Sequence, residues 1–511
     1  MEDSTSQSLY YSVYLGWALV SLAVALAAYR RCVTAANGCL QLPPGPWQLP
    51  VIGSLHHLIG KLPHRAMRDL ARRHGPVMLL RLGELPTLVL SSPDAAREVM
   101  KTHDLAFATR PLNATTRVAT CDGRDISFAP YGEHWRQLRK IAVTELLTVR
   151  RVHSFRAIRE EEVAAMLRDV EAAATAAHPV DMHARLSVFV SDSTFRAVMG
   201  DRCKQRDLFL QELDTFVRLA TGFNPVDLWT SSWLARRLSG SLRRAEENHT
   251  AVSGIINNII QEHLERSKGG AAEAEDMLDV LLKIHKDGVI DMVAVQGLIF
   301  DLFTAGSETS ATTLEWAMSE LIRNPRVIKK AATEVRRAFE DCGMVIEDRL
   351  GELPYLHLII RETLGLHPPL PLLLPRECRE PCKVLGFDVP KGTRAMVNVW
   401  ALGRDEQCWP HATEEFRPER LEAAGTVDFR GTDFELLPFG SGRRMCPGIA
   451  FGLANVELPL ASLLLHFDWE APDVSDPAEF DMTEEFGLTV RRKANLLLHP
   501  SLRVPFARTV V

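Results

Sequence analysis

Two patterns of apolar residues run along this chain. From about residue 60 to 340, apolar positions recur at three- and four-residue spacing and are broken by glycine and proline, which predicts a mainly helical body. Short β-branched and apolar runs between turn signals predict strands at Val77–Leu82, Thr87–Leu90, Arg394–Val399 and Ala494–His499. No internal repeat appears, and Lys268-Gly-Gly-Ala-Ala-Glu reads as an exposed loop between helices. The expected fold class is mainly α with a minor β-sheet part, in a single large domain.

The second pattern is continuous. Leu9 to Tyr29 carries no charge, and at 1.5 Å per residue it spans about 31 Å, the hydrocarbon thickness of a bilayer. Glu2 and Asp3 precede it and Arg30-Arg31 follow it. A cleaved signal peptide has the opposite polarity, and the positive-inside rule places the C-terminal body in the cytosol. Residues 1–31 are therefore expected to be a signal anchor with its helix at about 9–29. Leu42-Pro-Pro-Gly-Pro-Trp47, Pro50 and Gly53 make 42–53 a stiff extended connector, either a plain linker or a specific hinge, before the body at 54–511.

The longest predicted helix runs from Asp291 to Arg323 and stops at Asn324-Pro325. It would extend roughly 50 Å, and its apolar composition requires burial. Its middle reads Ala305-Gly-Ser-Glu-Thr-Ser310. A buried carboxylate costs several kcal/mol unless it is compensated, and Gly followed by Ser or Thr favours a bend. The segment is either a packing notch with a paired Glu308 or a local opening for water and small molecules.

Composition removes several classes. Hydrophobic residues at 46% and charged residues at 24% are globular values. A net charge of −6 gives no bulk reason to expect nucleic acid. Nine scattered cysteines fit a reducing compartment better than a disulfide framework. Cys378 and Cys382 are four apart with no second pair to complete a zinc site, and read as structural. The patterns at Asn113 and Asn248 match glycosylation acceptors, but a cytosolic body would leave them unmodified.

One cysteine stands in a chemically loaded setting: Phe439-Gly-Ser-Gly-Arg-Arg-Met-Cys-Pro-Gly448. Glycines permit tight turns, and Gly448 suits close packing at a helix start. A helix N-terminus and Arg443-Arg444 would lower the Cys446 pKa and favour the metal-binding thiolate. The segment resembles the heme loop of the cytochrome P-450 superfamily, Phe-x-x-Gly-x-Arg-x-Cys-x-Gly, through Phe439, Gly442, Arg444, Cys446 and Gly448.

Other segments resemble that family in order, over roughly residues 42 to 505. They are the proline-rich hinge, Trp135-Arg-Gln-Leu-Arg139, Ala305 to Ser310, Arg376 in Leu-Pro-Arg-Glu377, and Phe416-Arg-Pro-Glu-Arg420. The details look like the plant specialised-metabolism enzymes. The resemblance implies heme b with Cys446 as its iron ligand, and Trp135, Arg139, Arg376 and Arg444 at its propionates. Glu308 and Thr309 take the acid–alcohol positions that deliver protons for dioxygen activation. An NADPH-dependent cytochrome reductase at the endoplasmic reticulum membrane would supply electrons, with Arg136, Lys140, Arg150 and Arg151 as docking charge or ordinary solvated surface. The segments Phe107 to Phe128, Leu298 to Phe303, Leu370 to Leu374 and Phe486 to Thr489 would line an apolar substrate pocket, favouring a terpenoid or similar lipophilic metabolite.

One departure stands out. Family members carry Glu-x-x-Arg before the heme loop, whereas Arg361-Glu-Thr-Leu-Gly-Leu-His-Pro-Pro369 places Gly365 after Glu362. Glu362 and Arg420 can still pair, but the third member is absent, and Arg361 points about 100° away around the helix. Losing a buried ionic partner costs about 3–5 kcal/mol and a helix glycine about 1 more. The expectation is a weakened heme-binding core. Gly365 also motivates a rival reading, a non-catalytic or heme-deficient member. A heme-thiolate isomerase or dehydratase is a further alternative, opposed by the intact Glu308-Thr309.

Overall fold

The long predicted helix forms as Met292–Arg323. Asp291 caps its N-terminus by accepting the Ala294 amide at 2.9 Å, and Asn324 before Pro325 ends it. This computed structural model describes residues 40–267, 275–410, 413–423, 427–472, 474 and 476–505. The expected membrane span at 9–29 and the loop at Lys268 lie outside the described residues.

Six helices position the site: α1 (Glu133–Ile141), α2 (Met182–Met199), α3 (Ser241–Ser267), α4 (Met292–Arg323), α5 (Pro354–Leu366) and α6 (Ile449–His466). α4 crosses the body with α2 and α6 packed along it. Phe303 of α4 lies 4.6 Å, centroid to centroid, from Phe195 of α2. A Cβ on Gly306 would come within 3.3 Å of Phe451 and 3.4 Å of Thr194. That glycine is a packing notch where three helices meet. The helix is continuous through it, so the expected bend does not break the backbone ladder.

The minor sheet holds β1 (Val77–Leu82), β2 (Leu85–Leu90), β3 (Arg376–Glu377) and β6 (Arg394–Val397), in the order β1-β2-β6-β3. Between β3 and β6 lies a hairpin of β4 (Cys382–Val384) and β5 (Phe387–Val389). Near the C-terminus β7 (Phe467–Glu470) pairs with β8 (Leu497–Leu502). The β1 reading matches residue for residue, and β2 and β6 differ only at their ends. The run expected at Ala494–His499 forms three residues later, because Leu502 to His499 pair with the strand that leaves α6. The proline-rich connector is docked: Pro44 accepts the Leu79 amide at 2.8 Å, and Gly53 bridges Leu82.

α6 is apolar and long enough to cross a membrane, yet two thirds of it is buried, as befits a core helix. Leu458, Leu460, Leu463, Leu464 and Leu465 join α5 and α4 in the largest core cluster. This packing fixes the segment just before α6, where Cys446 sits.

Candidate functional site

The loop before α6 turns on glycines. Gly440 and Gly442 have φ of +68° and +69°, a region that costs other residues about 1 kcal/mol or more. A Cβ on Gly442 would also lie 2.3 Å from the Met100 carbonyl. The Cys446 amide donates to the Phe439 carbonyl at 2.9 Å, closing the loop, while the Phe439 ring stacks edge-on against Phe429. Cys446 opens onto a cavity of about 260 Å³.

Gly448 is the residue before α6, with φ −94°, and a Cβ there would meet only the Cys446 Sγ, at 3.9 Å. Neither backbone geometry nor protein packing demands glycine. Its bare face borders the cavity, so the room it leaves belongs to whatever lies against it. This corrects the expectation of close packing at the helix start.

Only part of the expected thiolate bias forms. Burial pushes the Cys446 thiol above its ordinary value, opposed by the Gly448 backbone and the Arg139 guanidinium. Arg443 contributes nothing there, because it turns outward to Asp104. Arg444 points into the protein: Nε donates to the Ala108 carbonyl at 2.6 Å, Nη1 to Ile126 at 3.3 Å, and Nη2 to Ala129. Its guanidinium lies 4.2 Å from the Trp135 ring centroid. The Trp135 indole N–H, placed by the resemblance at a propionate, donates here to the Ile126 carbonyl at 3.1 Å.

Among the described residues, four guanidiniums border the cavity: Arg110, Arg139, Arg376 and Arg444. Arg376 donates to the Ser441 carbonyl at 2.7 Å and pairs with Asp104 at 3.4 Å. Burial pulls Arg376 down to about 10, and burial together with Arg376 pulls Arg444 down to about 9. Burial, Arg444 and Arg376 lower Arg110 as well. Arg139 makes no hydrogen bond or ion pair among the described residues. Against these stands Asp301, the only carboxylate among the described lining residues, raised to about 6 by burial. So much positive charge around one cavity suits a ligand with two carboxylates.

Arg110 and Asp301 were missed by sequence reading. Each lies in a run singled out for its apolar residues, and only the fold turns them inward. Arg110 binds the carbonyls of Leu374 and Pro375. Asp301 accepts the amides of Ile126 and Ser127 at 2.7 and 3.2 Å, which fastens that stretch to α4.

α4 lines the cavity through Leu298, Leu302, Ala305, Gly306 and Thr309, and Leu370, Leu373 and Leu374 line it too. The reading of Ala305 to Ser310 as a local opening therefore holds for its cavity-facing side. Thr309 lines the cavity and its hydroxyl donates to the Ala305 carbonyl at 2.6 Å. Glu308 does not line it; its carboxylate accepts from Thr489 Oγ1 at 3.0 Å. Phe486 to Thr489 likewise stay outside the lining, with Phe486 packed against Phe223. Phe107 is wholly buried in the core beside the minor sheet.

Behind the cavity, Glu362 on α5 accepts from Arg420 Nε at 2.7 Å and from the Arg417 amide at 2.8 Å. Gly365 offers no third charge, and Arg361 lies instead over the Phe429 ring. Of the basic residues considered for docking, Arg136, Lys140 and Arg150 are exposed, whereas Arg151 is tied to Glu275.

Heme b fits this donor set. Among the described lining residues there is a single thiol, half-buried Cys446, with a glycine face beside it and partly unpaired guanidiniums that can take carboxylates. Residues 43–498 match the family model described as cytochrome P450. The chain is 47% identical to a zealexin A1 synthase from Zea mays over 94% of its own length and 96% of that protein's. It is 48% identical to a dolabradiene monooxygenase from Zea mays, covering 96% and 98% of the two chains. Among solved structures it resembles a zebra fish cytochrome P450 determined with abiraterone, at a TM-score of 0.73 and 24% identity, over 86% of this chain and 99% of that one. This chain belongs to the cytochrome P450 family and is a heme-dependent monooxygenase.

Proposed function

We propose that this enzyme hydroxylates a lipophilic specialised metabolite, a terpenoid before others. Electrons would come from an NADPH-dependent cytochrome reductase, and residues 9–29 would hold the enzyme on the endoplasmic reticulum membrane. The observation that carries the substrate class is the leucine wall: Leu298, Leu302, Leu370, Leu373 and Leu374 share one cavity with Cys446 and Thr309. Such a surface gains about 25 cal/mol for each Å² of hydrocarbon it covers and offers a bound charge no compensation. The maize relative named a dolabradiene monooxygenase, whose name denotes a diene, supports the same class.

Heme b, when bound, supplies dioxygen activation and insertion of one oxygen atom into a C–H bond. The chain does the rest. Cys446 would hold the iron through Sγ, and Arg139, Arg376 and Arg444 would neutralise the propionates. Trp135 keeps Arg444 in place by stacking. The Thr309 hydroxyl can both accept and donate, which suits it to pass a proton inside the cavity. Glu308 would add a proton only after its carboxylate leaves Thr489. Exposed Arg136, Lys140 and Arg150 would steer an acidic reductase face.

The test is the spectrum of reduced, carbon-monoxide-bound protein in isolated membranes, followed by turnover of terpenoids with NADPH and reductase. A red-shifted Soret band and a product heavier by one oxygen are expected. Absence of heme absorbance would overturn the reading, as would a red-shifted band with turnover only of charged substrates.

A further inference from the structure

We propose that Cys378 and Cys382 form a reversible dithiol–disulfide couple, a redox modification site on the segment that follows Arg376. Their sulfurs are in contact at 3.8 Å. Cys378 is fully buried and Cys382 half-buried, so one thiol is sheltered and the other can meet a reagent.

The backbone already holds the pair for bond formation. The Cys378 amide donates to the Thr393 carbonyl at 2.9 Å, and its carbonyl accepts from Gly392 at 2.7 Å. Cys382 is fixed from the other side by its place in β4 opposite Val389. Pro381, between the two cysteines, limits backbone freedom further. Bond formation closes the sulfurs from 3.8 Å to about 2.05 Å. The bond would replace the Cys378 thiol's hydrogen bond to the Glu380 carbonyl, 2.9 Å long. When the Cys378 thiol turns its single proton to Cys382 instead, it lowers the Cys382 pKa and makes Cys382 the better attacking group.

The oxidant is a low-molecular-weight disulfide such as oxidised glutathione. The Cys382 thiolate attacks one glutathione sulfur, breaking the glutathione S–S bond and releasing a glutathione thiolate. Cys378, deprotonated, then attacks the Cys382 sulfur, forming the protein disulfide and releasing the second glutathione thiolate. The two protons lost by the cysteines end on the two glutathiones, so one disulfide is reduced as one is made. A reduced dithiol or glutathione reverses the reaction.

The site is joined to the cavity. Glu377 and Arg379 donate to the carbonyls of Thr109 and Ala106, and Ala108 between them accepts from Arg444. Arg376 itself is two residues from Cys378.

The full-length protein in detergent is equilibrated in glutathione buffers of rising oxidised fraction, quenched with an alkylating reagent and mapped by mass spectrometry. The peptide carrying both cysteines should lose the mass of two hydrogens as the oxidised fraction rises, and regain alkylation after dithiothreitol. Cys378→Ser should leave glutathione attached at Cys382, because no second thiol resolves it. Cys382→Ser, at a half-buried position, should leave Cys378 free of glutathione and of any cross-link. The proposal is overturned if the wild-type peptide stays dithiol at every ratio. It is equally overturned if wild type accumulates the same glutathione adduct as Cys378→Ser.

Discussion

Glu362 and Arg420 pair at 2.7 Å, but Arg420 Nη1 is buried with no protein partner. The helix face that carries Glu362 presents Gly365 three residues on, where no charge completes the group. Burial outweighs the attraction of Arg420 and lifts the Glu362 carboxyl from 4.5 to about 7.

That shift has a definite sign. A carboxyl raised on folding keeps its proton longer in the native state, so its contribution to stability falls as pH rises from about 4.5 to about 7. At roughly 1.4 kcal/mol per unit, the loss amounts to about 3 kcal/mol above pH 7. Gly365→Arg supplies a second guanidinium and should recover part of it at pH 8 while changing little at pH 5. Urea denaturation at both pH values reads the difference. A variant destabilised equally at both would show that crowding against Leu436, 3.2 Å from the new Cβ, dominates.

Arg139 and Arg444 border one cavity but answer to different partners. Arg444→Lys strips three carbonyls of a forked donor and should cost about 1–3 kcal/mol of stability, several degrees in Tm. Arg139→Ala removes no side-chain hydrogen bond or ion pair among the described residues. It should leave the cofactor-free protein within about 0.5 kcal/mol and weaken heme retention by about tenfold or more. Thermal melts with and without heme separate the two effects.

Gly442 and Gly448 lie six residues apart and should fail differently. Gly442→Ala needs a Cβ 2.3 Å from the Met100 carbonyl at φ +69°, so the fold itself should lose about 3 kcal/mol or more. Gly448→Ala is free of strain and meets only Cys446 Sγ. Its melt without heme should match wild type, with heme content reduced in the purified protein.

Thr309 lines the cavity and Glu308 does not. Thr309→Val removes the hydroxyl at nearly constant volume and should lower kcat by about 100-fold, a typical loss for a positioned proton carrier. Glu308→Gln, whose carboxylate is held by Thr489, should stay within about threefold of wild type. A larger loss for Glu308→Gln than for Thr309→Val would show that the carboxylate reaches the cavity during turnover.

Much was legible in the chain itself. The 3.6-residue periodicity, the Asp291 cap and the Asn324-Pro325 stop determine α4 almost to the residue, because helix ends are decided by local hydrogen bonding. The Phe439 to Gly448 segment pointed to Cys446 through its resemblance to a family loop, and the turns its glycines allow form at Gly440 and Gly442. Sequence spacing also showed that Arg361 could not replace the missing arginine, since helix geometry alone sets that direction.

Tertiary structure decided what each charged group spends itself on. Trp135 and Arg444 bond to backbone carbonyls that arrive from residues 108 to 129, a pairing no local pattern announces. Glu308 faces Thr489 across 181 positions of chain. Arg110 and Asp301 become cavity residues only where their own elements meet. Local rules act over one turn of helix or one pair of strands, whereas the partner of a buried charge comes from wherever the folded chain delivers a donor or acceptor.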